Sequence, residues 1–253
     1  MTVAIAEEVE RPHRRSLAGY LVTPAVLVVV LGALALYVGS QSLDSIEERR
    51  LTLDFILPAL VQHVTLTVVS TAVVLLVAVP IGILLTRPFA RGLVAPAVAV
   101  FNVGQALPSI GVLVLLAIVW GIGFWPAVVA LVAYSALPVL RNTVVGLQQV
   151  DPAVIESGRG MGMSRRGVLT QIELPLAVPV ILTGLRTALV INVGTAALVA
   201  LTDAGGLGAI IITGLVQNRP IVTVVGSVLT AVLALFIDYV GRVAEDVLRP
   251  KGL

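Results

Sequence analysis

Six long apolar stretches separated by short polar ones set the pattern of the chain. A helix that crosses a bilayer needs about 20 mostly apolar residues, with a range of about 17–25. Leu17–Val38, Leu57–Leu85, Leu93–Val119, Phe124–Leu140, Leu174–Leu201 and Pro220–Gly241 reach that length with few charges. The pattern predicts an all-α integral membrane protein with about six transmembrane helices. The first run is too long for the apolar region of a signal peptide, so it reads as a first span. The third contains Pro96 and Pro108, and Gly104-Gln105-Ala106-Leu107-Pro108 either kinks one helix or divides two short ones. Three segments lie between spans: the mixed-charge loop Ser40–Asp54, the polar stretch Arg141–Glu173 and the glycine-rich Thr202–Arg219.

The basic residues orient these spans. If the N-terminus is inside, so are Arg11, Arg14, Arg15, Arg87, Arg91, Arg141, Arg159, Arg165, Arg166, Arg242, Arg249 and Lys251. Arg49, Arg50 and Arg219 then lie outside, and Arg186 lies within a span. Twelve of the 16 basic residues thus share one side. An excess of Arg and Lys marks cytoplasmic loops. The expectation is a multi-pass protein of the cytoplasmic (inner) membrane, surrounded by lipid, with both termini and the 141–173 stretch in the cytoplasm.

Composition narrows the functional classes. The chain is 58% hydrophobic and 12% charged, against about 45–50% and about 25% for a soluble domain. Aromatics make up only 4%, so the helices must pack through small and aliphatic residues, as membrane bundles do. Cysteine is absent, which rules out disulfides and thiolate metal sites. The two histidines, His13 and His63, are far apart in sequence, so no metal site is expected. A net charge of +2 does not point to nucleic acid. The only lysine, Lys251, precedes Gly252, so the chain has no phosphate-binding Gly-x-x-x-x-Gly-Lys-Ser/Thr loop. Nor does it have the Gly-x-Ser-x-Gly motif of a hydrolytic serine. No cofactor and no catalysis are expected of it, and any ATP must be hydrolysed by a separate subunit.

The Asp151–Pro175 segment reads as two helices joined at a glycine. Asp151 is a good N-cap and Pro152 suits the first helical position. Gly162 can end this helix in a left-handed conformation, and Ser164 can cap the next. Spacing alone leaves open whether this is a mere amphipathic connector or a part pushed by a partner.

Glu156-Ser157-Gly158, then Gly162, then nine residues to Ile172-Glu173-Leu174-Pro175, resembles the EAA loop of ABC importer permeases. Glu156, Gly162, Ile172, Leu174 and Pro175 match in register, while Ser157 and Gly158 replace two alanines. Further segments resemble the glycine betaine, choline and carnitine class of osmoprotectant importers. They are Gln105–Ser109, Leu137–Thr143, Glu156–Met163, Gly184–Ala188, Gly205–Gly208 and Pro250–Leu253. The resemblance implies a type I permease core of five helices over residues 57–253, with the coupling loop at 141–173. Residues 1–56, with the first span and an outer loop, are an addition to it. It also implies a coupling helix seated in an ATP-hydrolysing subunit, an extracytoplasmic substrate-binding protein, and a second permease copy or a sister permease. The implied cargo is a quaternary-ammonium osmoprotectant. Ergothioneine, an amino acid or another small polar solute is the alternative, and an ion-coupled carrier the more distant one. Trp120, Trp125, Tyr134 and Tyr239 are too scattered to suggest an aromatic cage, so cargo choice is expected to reside in the separate binding protein.

Few polar residues fall within the spans. Arg186 is expected to face protein or a water-filled cavity, and Asp238 to pair with Arg242 one turn away. Asn102, Gln105, Asn192 and Thr195 either line a polar pathway or bond between helices. Gly205, Gly206 and Gly208 form a turn that can fold against the mouth of a cavity as an outer gate.

Overall fold

The computed structural model describes residues 17–248. His13, Arg11, Arg14, Arg15, Arg249, Lys251 and the Pro250–Leu253 segment lie outside the described residues, as does the side chain of Arg91. Among the described residues the structure is helical, with no strand. The long helices are α1 (Leu17–Gly39), α3 (Leu53–Leu85), α6 (Phe124–Gln148), α9 (Leu174–Ala196) and α11 (Pro220–Leu248). Shorter ones are α2 (Ser45–Arg50), α4 (Val94–Ala106), α5 (Ser109–Trp120), α7 (Pro152–Gly160), α8 (Arg165–Val168) and α10 (Leu207–Val216).

Five helices, α1, α3, α6, α11 and the continuous 165–196 rod, are long and apolar enough to span a membrane. The sixth expected span differs. The third apolar stretch is broken into α4 and α5, which meet at 91°. Pro108 is the physical reason. Its ring bars the helical conformation from the preceding residue, and Leu107 is extended at φ −70°, ψ 142°. Of the two arrangements open from the sequence, two short helices is the one adopted.

α6 forms the centre of the bundle, packed by α3, α9, α4 and α5. Small residues set the closeness. A Cβ on Gly82 would lie 2.7 Å from Thr143, and one on Gly184 would lie 2.8 Å from the Pro138 carbonyl oxygen. Bare backbone at these points lets α3 and α9 touch α6, the close contact that small residues permit in membranes. Two apolar clusters flank α6, one around Leu66, Leu131 and Val199, the other around Val74, Val139 and Leu140.

α1 is peripheral: only 6% of its apolar window is buried, and it leans on α11. This agrees with a first helix added to a five-helix core.

Several boundaries move, the sixth span among them, which runs on past Gly241 to Leu248. The fourth span runs on past Leu140 to Gln148, so Arg141–Gln148 belong to α6 and not to the loop. Val144 and Leu147 remain buried there and extend the apolar face. The Thr202–Arg219 stretch also holds a helix, α10, whose apolar run was hidden among glycines. At ten residues it is about 15 Å long, too short to cross a bilayer. Asp203 and Asn218 sit at φ 55° and 52° on either side of it, a conformation these short polar residues tolerate. α10 therefore enters and leaves on one end of the bundle.

Candidate functional site

The polar features gather in three places: the loop at the α7 end, a charged cluster between α9 and α11, and the α10 hairpin at the opposite end.

At the α7 end, Asp151 accepts from the Ala153 N–H at 2.8 Å and caps α7. The helix closes with two bonds. Gly162 N–H donates to the Arg159 carbonyl at 2.9 Å and Met163 N–H to the Gly158 carbonyl at 3.1 Å. This paired closure calls for a left-handed residue after the cap, and Gly162 supplies it at φ 87°. Ser164 then caps α8 by accepting from the Gly167 N–H at 3.1 Å. Both caps and the left-handed glycine follow the expectation from sequence. Ser157 and Gly158, where the motif departs from alanine, have separate local explanations. The Ser157 hydroxyl bonds back to the Ala153 carbonyl at 2.8 Å. Gly158 is buried, and a Cβ there would lie 2.5 Å from Ile172 Cδ1, so α7 sits directly on Ile172. Most of the rest of α7 is bare: Val154, Glu156, Ser157 and Arg159 are exposed, as is Met161 at its C-cap.

Between α8 and α9 the chain widens into a π turn, Leu169–Glu173, with Leu174 N–H reaching the Leu169 carbonyl. Pro175 explains the widening, because it has no N–H for the Gln171 carbonyl and its ring crowds that oxygen. The turn buries Glu173 to 5% exposure, where it meets Arg87 Nη2 at 2.5 Å. Glu173 fills the variable place between Ile172 and Leu174-Pro175, so no motif singled it out.

Within the spans, Arg186 Nε bonds Asp238 Oδ1 at 2.6 Å, and Asp238 Oδ2 takes Arg242 Nη2 at 2.6 Å. The Asp238–Arg242 pair was expected and forms. Arg186 also lies 3.8 Å from Glu245, which accepts from the Thr183 hydroxyl at 2.8 Å. Arg186 therefore faces protein, as expected. The cluster opens on a groove of about 350 Å³ lined by Thr183, Arg186, Thr187, Val190, Ile191 and Asp238. The α9 residues recur every three or four positions and form one stripe, which is polar at its α7 end and apolar beyond.

Asn192 is fully buried and donates to the Thr71 hydroxyl at 2.9 Å, an interhelical bond. Among the described residues its Oδ1 has no hydrogen-bond partner. Asn102 accepts from Arg141 at 3.1 Å on an exposed surface. Gln105 is half-buried, on the last turn of α4. These residues do not converge on the Arg186 groove.

At the α10 end, Gly205 and Gly206 take φ 78° and 83°. The Gly206 N–H donates to Gln62 Oε1 and the Leu207 N–H to His63 Nδ1, each at 3.2 Å. His63 Nε2 lies 2.9 Å from the Val193 carbonyl oxygen. An amide can only donate and a carbonyl only accept, so the ring is neutral with its proton on Nε2. His63 thus ties α3 to both α9 and α10. Sequence pattern showed only a histidine in a span. A Cβ on Gly208 would overlap the Ala197 backbone carbonyl. Gly208→Ala is therefore expected to destabilise the protein by about 1–3 kcal/mol, because backbone yields less readily than a side chain. Thermal unfolding in detergent checks this.

The loop Asp44–Arg50 packs nearby. The backbone N–H groups of Glu47 and Ile46, together with the Arg219 guanidinium, hold the Asp44 carboxyl below the usual carboxylate range. This support for α2 is complete above that range and is lost as pH falls through the lowered value. Trp120 and Trp125 are 58% and 60% exposed, and Tyr239 lines an apolar groove against α1, so these rings are not gathered in a cage. Among the described residues no group of side chains could hold a metal ion.

Residues 78–251 match the family described as binding-protein-dependent transport system inner membrane component. The chain is 40% identical over 211 residues to the osmoprotectant import permease protein OsmY of Salmonella typhimurium, covering 83% of this chain and 88% of that one. It is 40% identical over 192 residues to the choline transport system permease protein OpuBB of Bacillus subtilis, covering 76% and 88%. It is also 40% identical over 193 residues to the glycine betaine/carnitine/choline permease OpuCB of the same organism, again covering 76% and 88%. Among solved structures, the MetNI methionine ABC transporter in an inward-facing conformation superimposes with a TM-score of 0.67 at 24% identity, covering 77% of this chain and 96% of that one. An amino acid ABC transporter with histidines gives 0.65 at 20% identity, covering 81% and 99%. These structures share the fold. The family match begins inside α3, so α1 lies outside it.

Proposed function

This chain belongs to the binding-protein-dependent transport system inner membrane components, and on that premise we propose that it passes a quaternary-ammonium osmoprotectant through the cytoplasmic membrane, driven by a separate ATPase. The observation that carries the reading is α7. Its inner face is seated on Ile172 while Val154, Glu156, Ser157, Arg159 and Met161 are bare. A short helix capped at both ends, with one face unpartnered, is suited to a cleft in another subunit. Glu156, Gly162, Ile172, Leu174 and Pro175 hold the register of the EAA loop. In this reading the α7 end and both termini are cytoplasmic, which agrees with the excess of basic residues there. The ATPase closes on nucleotide, carries α7 with it, and the spans change from outward-open to inward-open.

The Arg186 groove supports the pathway part of the reading. A charged stripe about a quarter exposed and near mid-span would be expensive against acyl chains. A second permease copy or a sister permease, with a wet path between the two, covers it. The α10 hairpin with Gly205, Gly206 and Gly208 sits at the outer mouth as a gate. Cargo class follows the relatives named for osmoprotectants, choline, glycine betaine and carnitine. With no aromatic cage among the described residues, selection falls to a binding protein outside the membrane.

The test combines three measurements in cells that carry the ATPase and the binding protein. Glu156→Cys, the only thiol in the chain, is expected to crosslink to the ATPase. Reporter fusions at Ser45 and Gly252 should read outside and inside. Labelled glycine betaine or choline should accumulate, and an amino acid should not. Amino-acid uptake alone would overturn the cargo, an outside reading at Gly252 the topology, and an absent crosslink the coupling.

A further inference from the structure

We propose that the Arg87–Glu173 pair is the strut that carries movement of α7 into the membrane bundle, an inference that rests on the coupling reading of α7. α7 packs on α8 and on the π turn. Its one buried residue, Gly158, lies against Ile172, in the π turn. The next residue, Glu173, turns inward to 5% exposure. There Arg87 holds it with its two terminal nitrogens, Nη2 to Oε2 at 2.5 Å and Nη1 to Oε1 at 3.5 Å. Charge-assisted contacts of this forked kind fix direction as well as distance.

Arg87 is itself anchored. Its Nε donates to the Ile83 carbonyl at 3.2 Å, and its Nη2 to the Thr86 hydroxyl at 3.0 Å. That hydroxyl donates to the Ile83 carbonyl at 2.7 Å. The guanidinium is thus fixed to the last turn of α3 and not left to swing. A displacement of α7 passes through Ile172 and Glu173 to Arg87, and so to α3. At 33 residues, α3 is about 50 Å long and reaches Gln62 and His63, which hold the start of α10. One continuous helix, with Pro80 within it, therefore joins the α7 loop to the hairpin at the other end. The π-turn segment also meets the bundle through Leu169 and Leu174, which pack with Val79 and Ile83 of α3 against Leu147, Ala177 and Ile181, an apolar contact without the directional hold of the ion pair. Arg87 and Glu173 are positioning residues that touch neither nucleotide nor cargo.

The experiment uses the assembled transporter with its ATPase and binding protein, reconstituted with glycine betaine as the probe. Glu173→Gln keeps the side-chain shape, Arg87→Gln shortens the side chain, and each removes one charge. ATP turnover and the crosslink from Glu156→Cys should persist in both. Uptake per ATP, and stimulation of turnover by loaded binding protein, should fall about tenfold, within the usual range of a coupling energy. The exchange Arg87→Glu with Glu173→Arg should recover part of the uptake lost in either single change, since it restores the charge pair but not the bonds from Arg87 to Ile83 and Thr86. A merely structural pair would lower the amount of complex without changing uptake per ATP, and that result overturns the strut. So does uptake per ATP in Glu173→Gln equal to the parent, or an exchange that rescues nothing. If the Glu156→Cys chain with Arg87 and Glu173 intact gives no crosslink, the coupling reading fails first, and the strut fails with it.

Discussion

Gly162→Val should abolish uptake while leaving membrane insertion intact. Gly162 sits at φ 87°, and a β-branched residue held there costs about 1–3 kcal/mol. A Cβ at this position meets nothing within 4 Å, so the penalty comes from the backbone and not from a clash. The chain relieves it locally by giving up the two bonds that close α7, from Gly162 to Arg159 and from Met163 to Gly158. α7 then leaves α8 at another angle and no longer sits on Ile172. Insertion depends on the apolar lengths of helices elsewhere, so membrane levels should be normal. Gly162→Asn is the control, since Asn tolerates the left-handed conformation and should keep much of the uptake. Equal transport by the valine variant and the parent would overturn the coupling assignment.

Asp238→Ala should be the most damaging single change among the intramembrane polar residues. The carboxylate separates two guanidiniums, each 2.6 Å away. Its loss leaves Arg186 and Arg242 facing one another, with Glu245, 3.8 Å from Arg186, and Asp246 left to compensate. Removing one member of a buried pair costs about 3–5 kcal/mol, and a cluster about a quarter exposed belongs near the lower bound. The expected readings are a markedly lower melting temperature in detergent and little protein in the membrane fraction. Exchanging the charges, Arg186→Asp with Asp238→Arg, should rescue only in part, because the new guanidinium would face Arg242. Full rescue by that exchange, or a melting temperature unchanged in Asp238→Ala, would show that the cluster does not hold α9 to α11.

The sequence determined the features that depend on local chemistry. Apolar length alone identified five spans, because a bilayer imposes one thickness on every helix. Asp151, Pro152, Gly162 and Ser164 announced the α7–α8 turn, because caps and left-handed glycines act within a few residues of themselves. The Asp238–Arg242 pair was legible for the same reason, one helical turn apart. Tertiary structure decided whatever joins distant positions. Pro108 marked a break, but the 91° between α4 and α5, both packed on α6, was not legible from it. α10 was hidden because ten apolar residues between glycines are too few to signal a span, and its place depends on contacts with His63 and Ala197. Arg186 carried no mark of its partner, which lies 52 residues away on α11. Glu173 occupied a variable place in an otherwise recognisable motif, and Arg87 looked like one more cytoplasmic arginine. Their meeting depends on how α3 and the π turn come together, and a pairing between residues 86 positions apart leaves no periodicity in either segment.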